Sequence, residues 1–217
     1  MGNVNLQKIT DIYCDVLKEI GNIGAGNAMT ALSQMLMCKV NMRVPMVRLL
    51  DFCDVGSLMG GEEQLMACVY FGVSGDVSGS MMFMIEKYSA NHLLEKIMGM
   101  PISEQVYTEM EASALQEVGN IITGAYLNAL ASFTGMKIIS TPPQMTVDMA
   151  GAILSVPAIE FGMLGDKILL IQTQFHDEIE VNGYFILIPE IDSYLKIIGS
   201  LGLSTEGLEE DGENGNE

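Results

Sequence analysis

One stretch of this chain occurs twice. Asp15-Val16-Leu17-Lys18-Glu19-Ile20-Gly21-Asn22-Ile23 returns as Ser113-Ala114-Leu115-Gln116-Glu117-Val118-Gly119-Asn120-Ile121, 98 residues later (113 − 15). The same offset relates Gly26 to Gly124, Ala31 to Ala129, Leu32 to Leu130, Lys39 to Lys137 and Pro45 to Pro143. A chance match does not keep register that far and finish on a shared proline. Further on, Val77-x-Gly79, an apolar run and Glu86 match Val181-x-Gly183, an apolar run and Glu190, at an offset of 104 (181 − 77). The six extra residues (104 − 98) fall around 149–161, whose counterpart around 52–60 is shorter. The expected organisation is one domain, 1–217, made of two repeats (about 6–100 and 108–202), not a solenoid of short units.

Within each repeat the periodicity is legible. Leu6, Ile9, Ile12, Val16, Ile20 and Ile23 recur every three or four residues, which predicts an amphipathic helix with that row toward the core. Its counterpart is expected over 110–133. Val40, Met42 and Val44 alternate with Asn41 and Arg43, a strand that Pro45 is expected to end. A short helix is expected after Asp51, then strands over 65–73 and 77–85 around Ser74-Gly75-Asp76, then a helix over 89–98 stopped by Gly99 and Pro101. The second repeat gives strands over 137–140, 167–173 and 181–188 and a closing helix over 191–200. Strands and helices that do not alternate strictly predict an α+β fold. The expected form is an internally duplicated pseudo-two-fold domain with a six-stranded mixed sheet and two long motif-bearing helices. The segment Ser204–Glu217 is acidic, rich in Gly and Asn and without period, and is expected to be a disordered tail.

Composition narrows the function. With 49% hydrophobic residues the 217-residue chain can build a real core. Ten Lys and Arg against 28 Asp and Glu leave a formal charge of −18, which repels phosphate backbones and anionic lipid heads. No nucleic acid and no membrane insertion are therefore expected, and other proteins are the expected partners. No apolar run approaches the roughly 18 residues of a membrane span, and the start lacks a signal-peptide pattern, so a cytoplasmic location is expected. Cys14, Cys38, Cys53 and Cys68 form no CxxC pair and read as buried reduced thiols. His92 and His176 stand outside any ligand motif, so no metal site is expected. The 18 methionines, with Met81, Met82 and Met84 on one strand, read as core filling.

The chemistry sits in the repeated stretch. Asp15, Glu19 and Asn22 are spaced i, i+4, i+7 and share one polar stripe, and Ser113, Glu117 and Asn120 repeat it. Every amphipathic helix has a polar face. Here, however, Lys18 has become Gln116 and Asp15 has become Ser113, while the Glu and the Gly-Asn pair persist. Glu19, Asn22, Glu117 and Asn120 are therefore the candidate functional residues. Gly21, Gly24 and Gly26 follow a helical pattern rather than a strand, so they are no phosphate-cradling loop. Each costs a helix about 1 kcal/mol relative to Ala. Their expected role is to let a partner's backbone approach the Glu/Asn face, which Gly124 retains in the second repeat. Covalent catalysis has no candidate, since the cysteines lack a base and no Ser/His/Asp arrangement exists.

The pattern (Asp/Ser)-x3-Glu-x2-Asn-x22-Pro, at Asp15–Pro45 and again at Ser113–Pro143, resembles the CheC/CheX/FliY family of chemotaxis phosphatases. The resemblance covers nearly all of 6–202. Two copies in a chain of this length are similar to the CheC branch; CheX is shorter and normally keeps one active copy, and FliY adds a C-terminal switch domain. The resemblance implies hydrolysis of the aspartyl phosphate on a CheY-type response regulator. By the same resemblance the regulator itself is expected to supply Mg²⁺ and a Lys, and no cofactor is expected in this chain; on that reading Glu19, Asn22, Glu117 and Asn120 are the catalytic residues. Asn22 and Asn120 then orient the attacking water, and Glu19 and Glu117 pair with the regulator's Lys. Asp15, Ser113, Gly26 and Gly124 border the contact, while Pro45 and Pro143 shape the strand ends. The receptor deamidase CheD is a second implied partner. The alternative is a non-catalytic scaffold, either a flagellar-switch protein resembling the FliM middle domain or a CheD-binding protein. Retention of both Glu/Asn pairs argues against the switch scaffold.

Overall fold

The computed structural model describes residues 6–51, 54–102, 106–160, 167–176 and 180–202. The first repeat runs α1 (Leu6–Met35), β1 (Asn41–Asp51), α2 (Val55–Leu58), β2 (Leu65–Gly75), β3 (Gly79–Glu86) and α3 (Lys87–Met98). The second runs α4 (Glu109–Thr134), β4 (Ile138–Ser140), β5 (Gln144–Met149), α5 (Ala150–Glu160), β6 (Lys167–His176), β7 (Glu180–Pro189) and α6 (Ile191–Ser200). The segment 204–217 and Cys53 lie outside the described residues. Helix ends follow local chemistry. Thr108 caps α4 in a reciprocal box with Glu111, and Gly99 and Gly135 close α3 and α4 in the left-handed conformation at φ 66° and 71°.

The fold is α+β, with a single sheet whose strand order is β1-β6-β7-β3-β2-β4, β5 pairing with β2 as well. Among the described residues every pairing is antiparallel, and there are seven strands where six in a mixed sheet were expected. The extra strand has a covalent cause. In the first repeat β1 does not stop at Pro45. It passes through a bulge in which Val44 and Pro45 sit between the pairs Arg43–Gln174 and Met46–Gln172, and continues to Asp51. The second repeat keeps the offset, with Ser140 opposite Val73 and Gln144 opposite Tyr70. There the bulge holds Pro142 and Pro143, two residues without an N–H, so the strand is interrupted and counts as β4 and β5.

The order is palindromic. Each repeat lends its first strand to the other: β1 pairs with β6, and β4 and β5 pair with β2. Leu49 faces Leu169, and Val147, 98 residues after Leu49 (147 − 49), faces Ala67, which lies 102 before Leu169 (169 − 67). Phe83 faces Phe185, again 102 apart (185 − 83), at the pseudo-two-fold axis. The ladders thus differ by two from the 104 of the sequence match, a slip that leaves every side chain on its own face.

The sheet is covered on both sides. Odd-numbered residues of β2 and β3 (Val69, Phe71, Met81, Phe83) join Leu17, Leu32, Leu115 and Leu130 of α1 and α4 in one core cluster, to which α3 and α6 also contribute. Even-numbered residues (Met66, Cys68, Met82, Met84) pack under α2 and α5. Met81, Met82 and Met84 are therefore core on both faces, as expected. Of the cysteines, Cys68 is buried and Cys14 and Cys38 are half-buried, all as thiols. The buried row of α1 is Tyr13, Leu17, Ile20, Ala28 and Leu32, and Ile12 and Ile23 are exposed. The apolar row read from sequence is thus turned by one position. Small residues decide the phase: a Cβ at Gly24 would lie 2.9 Å from Tyr126 Cδ1 and 3.0 Å from its Cα, so the α1–α4 crossing needs glycine on the inward face. Among the described residues no helix is long and apolar enough to cross a membrane.

Candidate active site

Each polar stripe lies on the outer side of its long helix. Asp15 and Glu19 are exposed and Asn22 is half-buried; Ser113, Glu117 and Asn120 are all exposed. The neighbouring glycines divide by role. Gly21 and Gly119 lie against the sheet, where a Cβ would meet Val44 at 3.3 Å and the Val69 side chain at 2.8 Å. With Gly24 against Tyr126, these glycines serve contacts inside the chain, not the partner approach expected for Gly21 and Gly24. A Cβ at Gly26 or Gly124 would meet nothing within 4 Å, so these two leave open space beside each stripe.

The two asparagines differ. Asn22 Oδ1 accepts a hydrogen bond from the Val44 backbone N–H at 3.0 Å. That donor is available because the bulge lifts Val44 out of the β1–β6 ladder, and Pro45 next to it holds Val44 extended. The residue 98 positions after Val44 is Pro142, which has no N–H, and Asn120 makes no side-chain hydrogen bond among the described residues. Instead Gln116 Nε2 donates to the Pro143 carbonyl at 3.4 Å, tying α4 to the strand break one turn earlier. Pro45 and Pro143 are half-buried.

Sequence reasoning missed the apolar residues beside the stripes. Ile12, three residues before Asp15, is 44% exposed, and its repeat counterpart Met110 is 72% exposed. Ile23, next to Asn22, is 42% exposed. The signal was present, because an apolar residue recurs at the same offset on the polar side of both helices. Met98, Met110, Ser113, Gln116, Glu117 and Pro143 line an open groove of about 670 Å³ at the second stripe. A flat acidic and amide stripe with apolar flanks suits contact with a macromolecule rather than enclosure of a small substrate. Among the described residues no three His, Cys, Asp or Glu side chains converge on a point that could hold a metal ion.

Two stripes of this kind on a palindromic α+β sheet define a class, and similarity to known proteins places the chain in it. The model of the CheC-like family matches residues 12–48 and 110–147, the two segments that carry the stripes. The CheY-P phosphatase CheC of Bacillus subtilis (strain 168) is 33% identical over 202 residues, covering 90% of this chain and 97% of the relative. The chain belongs to the CheC-like family of chemotaxis proteins, and its activity is that of a phosphatase, a hydrolase. The fold is shared more widely. The crystal structure of Thermotoga maritima FliY superposes with a TM-score of 0.71 at 19% identity, covering 92% of this chain and 98% of that one. The FliM middle domain from H. pylori gives 0.65 at 11%, covering 91% and 99%.

Proposed function

We propose that this protein dephosphorylates a CheY-type response regulator in the cytoplasm, through two sites built on Glu19 with Asn22 and on Glu117 with Asn120. The observation that carries the reading is that both Glu/Asn pairs stand on outward stripes of α1 and α4, where a folded protein substrate reaches them. The kinship with the Bacillus subtilis CheY-P phosphatase supports the choice of substrate.

The reaction asks little of the enzyme. Water oxygen forms a bond to phosphorus as the bond from phosphorus to the aspartyl oxygen breaks. The aspartate leaves as carboxylate and the water proton departs with inorganic phosphate. Such a step depends on in-line placement and charge neutralisation rather than on a nucleophile from the enzyme. A neutral amide is suited to hold that water, because it neither titrates nor competes as a base; Asn22 and Asn120 take this role. Glu19 and Glu117, one turn earlier on the same faces, pair with a Lys of the regulator and set the docking angle. Asp15, Ser113, Gly26 and Gly124 border the contact. The Mg²⁺ that neutralises phosphoryl charge belongs to the regulator. CheD is a second partner, and turnover measured with and without it reads its effect.

The deciding experiment is turnover of phosphorylated regulator by the wild type, Asn22→Ala, Asn120→Ala and the double variant. Each single variant keeps the activity of the other site, and the double variant loses it while still binding the regulator. Wild-type turnover in the double variant would refute the assignment and leave a scaffold.

A further inference from the structure

We propose that the Val44 backbone N–H is a positioning group of the first site: it holds the Asn22 amide with Oδ1 inward and Nδ2 outward, a hold the second site lacks because position 142 is proline. The inference rests on the water-orienting role proposed for the asparagines. It adds which atom of Asn22 faces the water, what Pro45 does for the first site, and a physical reason for the two sites to differ.

An N–H donor is met only by the oxygen of an amide, so chemistry fixes the flip of the Asn22 side chain. With Oδ1 engaged at 3.0 Å, the planar amide turns its NH2 group to the opposite side. Val44 is buried, so the anchor is part of the core rather than a mobile surface group. The bulge supplies the donor: Val44 has no partner in the β1–β6 register, and Pro45 prevents the ladder from closing over it. Pro45, 23 positions beyond Asn22 (45 − 22), thus acts through its neighbour's N–H. In the second repeat the bulge is preserved but Pro142 replaces the donor, and Asn120 stands exposed with no side-chain hydrogen bond among the described residues. Both asparagines are present, and only one is prepared.

A preorganised group raises turnover without tightening substrate binding. One such hydrogen bond corresponds to roughly 3- to 10-fold in rate. The test isolates each site. In the Asn120→Ala background, Val44→Pro recreates the proline pair of the second half; kcat falls by about that factor while KM for the phosphorylated regulator stays put. In the Asn22→Ala background, Pro142→Val restores a donor at the second site and raises kcat by a similar factor, again at constant KM. Side-chain amide relaxation of the ¹⁵N-labelled intact protein reads the hold without any turnover: the Asn22 NH2 is rigid, the Asn120 NH2 is mobile, and Val44→Pro makes Asn22 like Asn120. Unchanged or increased kcat in a folded Val44→Pro variant overturns the proposal, as does no gain from Pro142→Val. Equal mobility of the two amides in the parent protein also overturns it. Should Val44→Pro fail to fold, the parent relaxation data and Pro142→Val decide. Failure of the underlying reading is distinct: it appears as activity surviving in the Asn22→Ala, Asn120→Ala double variant, whatever the amide relaxation shows.

Discussion

Replacing two glycines of α4 by alanine gives a stability difference whose size follows from the packing. A Cβ at Gly119 would lie 2.8 Å from Val69 Cβ and 2.9 Å from both of its Cγ atoms. Ordinary carbon contacts are about 3.5–4.0 Å, so α4 must move off β2 by roughly 0.7–1 Å. Val69 is buried and its Cβ cannot rotate away. Overpacking of this kind costs about 1–3 kcal/mol. A Cβ at Gly124, five residues on, meets nothing within 4 Å. Both changes gain the same helix propensity, about 1 kcal/mol. That gain cancels in the comparison, so Gly119→Ala is less stable than Gly124→Ala by the overpacking cost alone. For a chain of this size the gap in melting temperature is about 3–9 °C, with Gly124→Ala above the wild type. Scanning calorimetry measures it, and urea midpoints check it at constant temperature. A further variant tests the mechanism: Val69→Ala costs less in the Gly119→Ala background than alone, because the new methyl fills the space vacated. Equal melting temperatures for the two glycine variants would refute the close approach of α4 to β2.

Three further outcomes are expected. The Tyr126 hydroxyl shares a buried hydrogen bond with Thr173 Oγ1 at 2.8 Å, and Tyr126→Phe leaves the threonine hydroxyl orphaned, lowering stability by about 1–2 kcal/mol in urea titrations. Burial pushes the Tyr126 phenol up to about 12, its bond with Thr173 opposing the shift, and burial likewise raises Tyr194 to about 12. The fold holds the neutral phenols, so stability is full below about pH 10, the unfolded value, and falls as pH rises from about 10 to 12; Tyr126→Phe makes that fall shallower. Ile12→Ser and Met110→Ser raise KM for the regulator by roughly fivefold each when the other site is silenced, with kcat and melting temperature nearly unchanged. An unchanged KM would remove the apolar flanks from the docking face.

The legible part of the fold was whatever repetition and period expose: the two long helices, the β2–β3 hairpin, the methionine-filled strand, the α+β class. Less legible was anything that depends on a partner strand or helix elsewhere in the chain. Pro45 reads as a strand end because proline lacks a donor. The strand nevertheless continues, because the missing donor falls in a bulge opposite Thr173. The row through Ile12 and Ile23 reads as core because both are apolar, yet the tight crossing at Gly24 and Tyr126 sets the helix phase and turns both residues outward. The Glu/Asn stripes could be found from sequence because they are repeated. The bond from Val44 to Asn22 could not, since it depends on β1 lying beside α1.

The exchange of first strands between the repeats has a consequence for how such a molecule changes over time. Were one repeat a separate polypeptide, its β2–β3 hairpin would lack the flanking strand that the other repeat supplies, and two identical copies would be needed to complete the sheet. In such a homodimer any substitution enters both sites at once. Joined in a single chain, the two copies still complete each other, but a change such as valine to proline at one bulge touches one Glu/Asn stripe only. Covalent linkage thus permits a division of labour that symmetry would forbid.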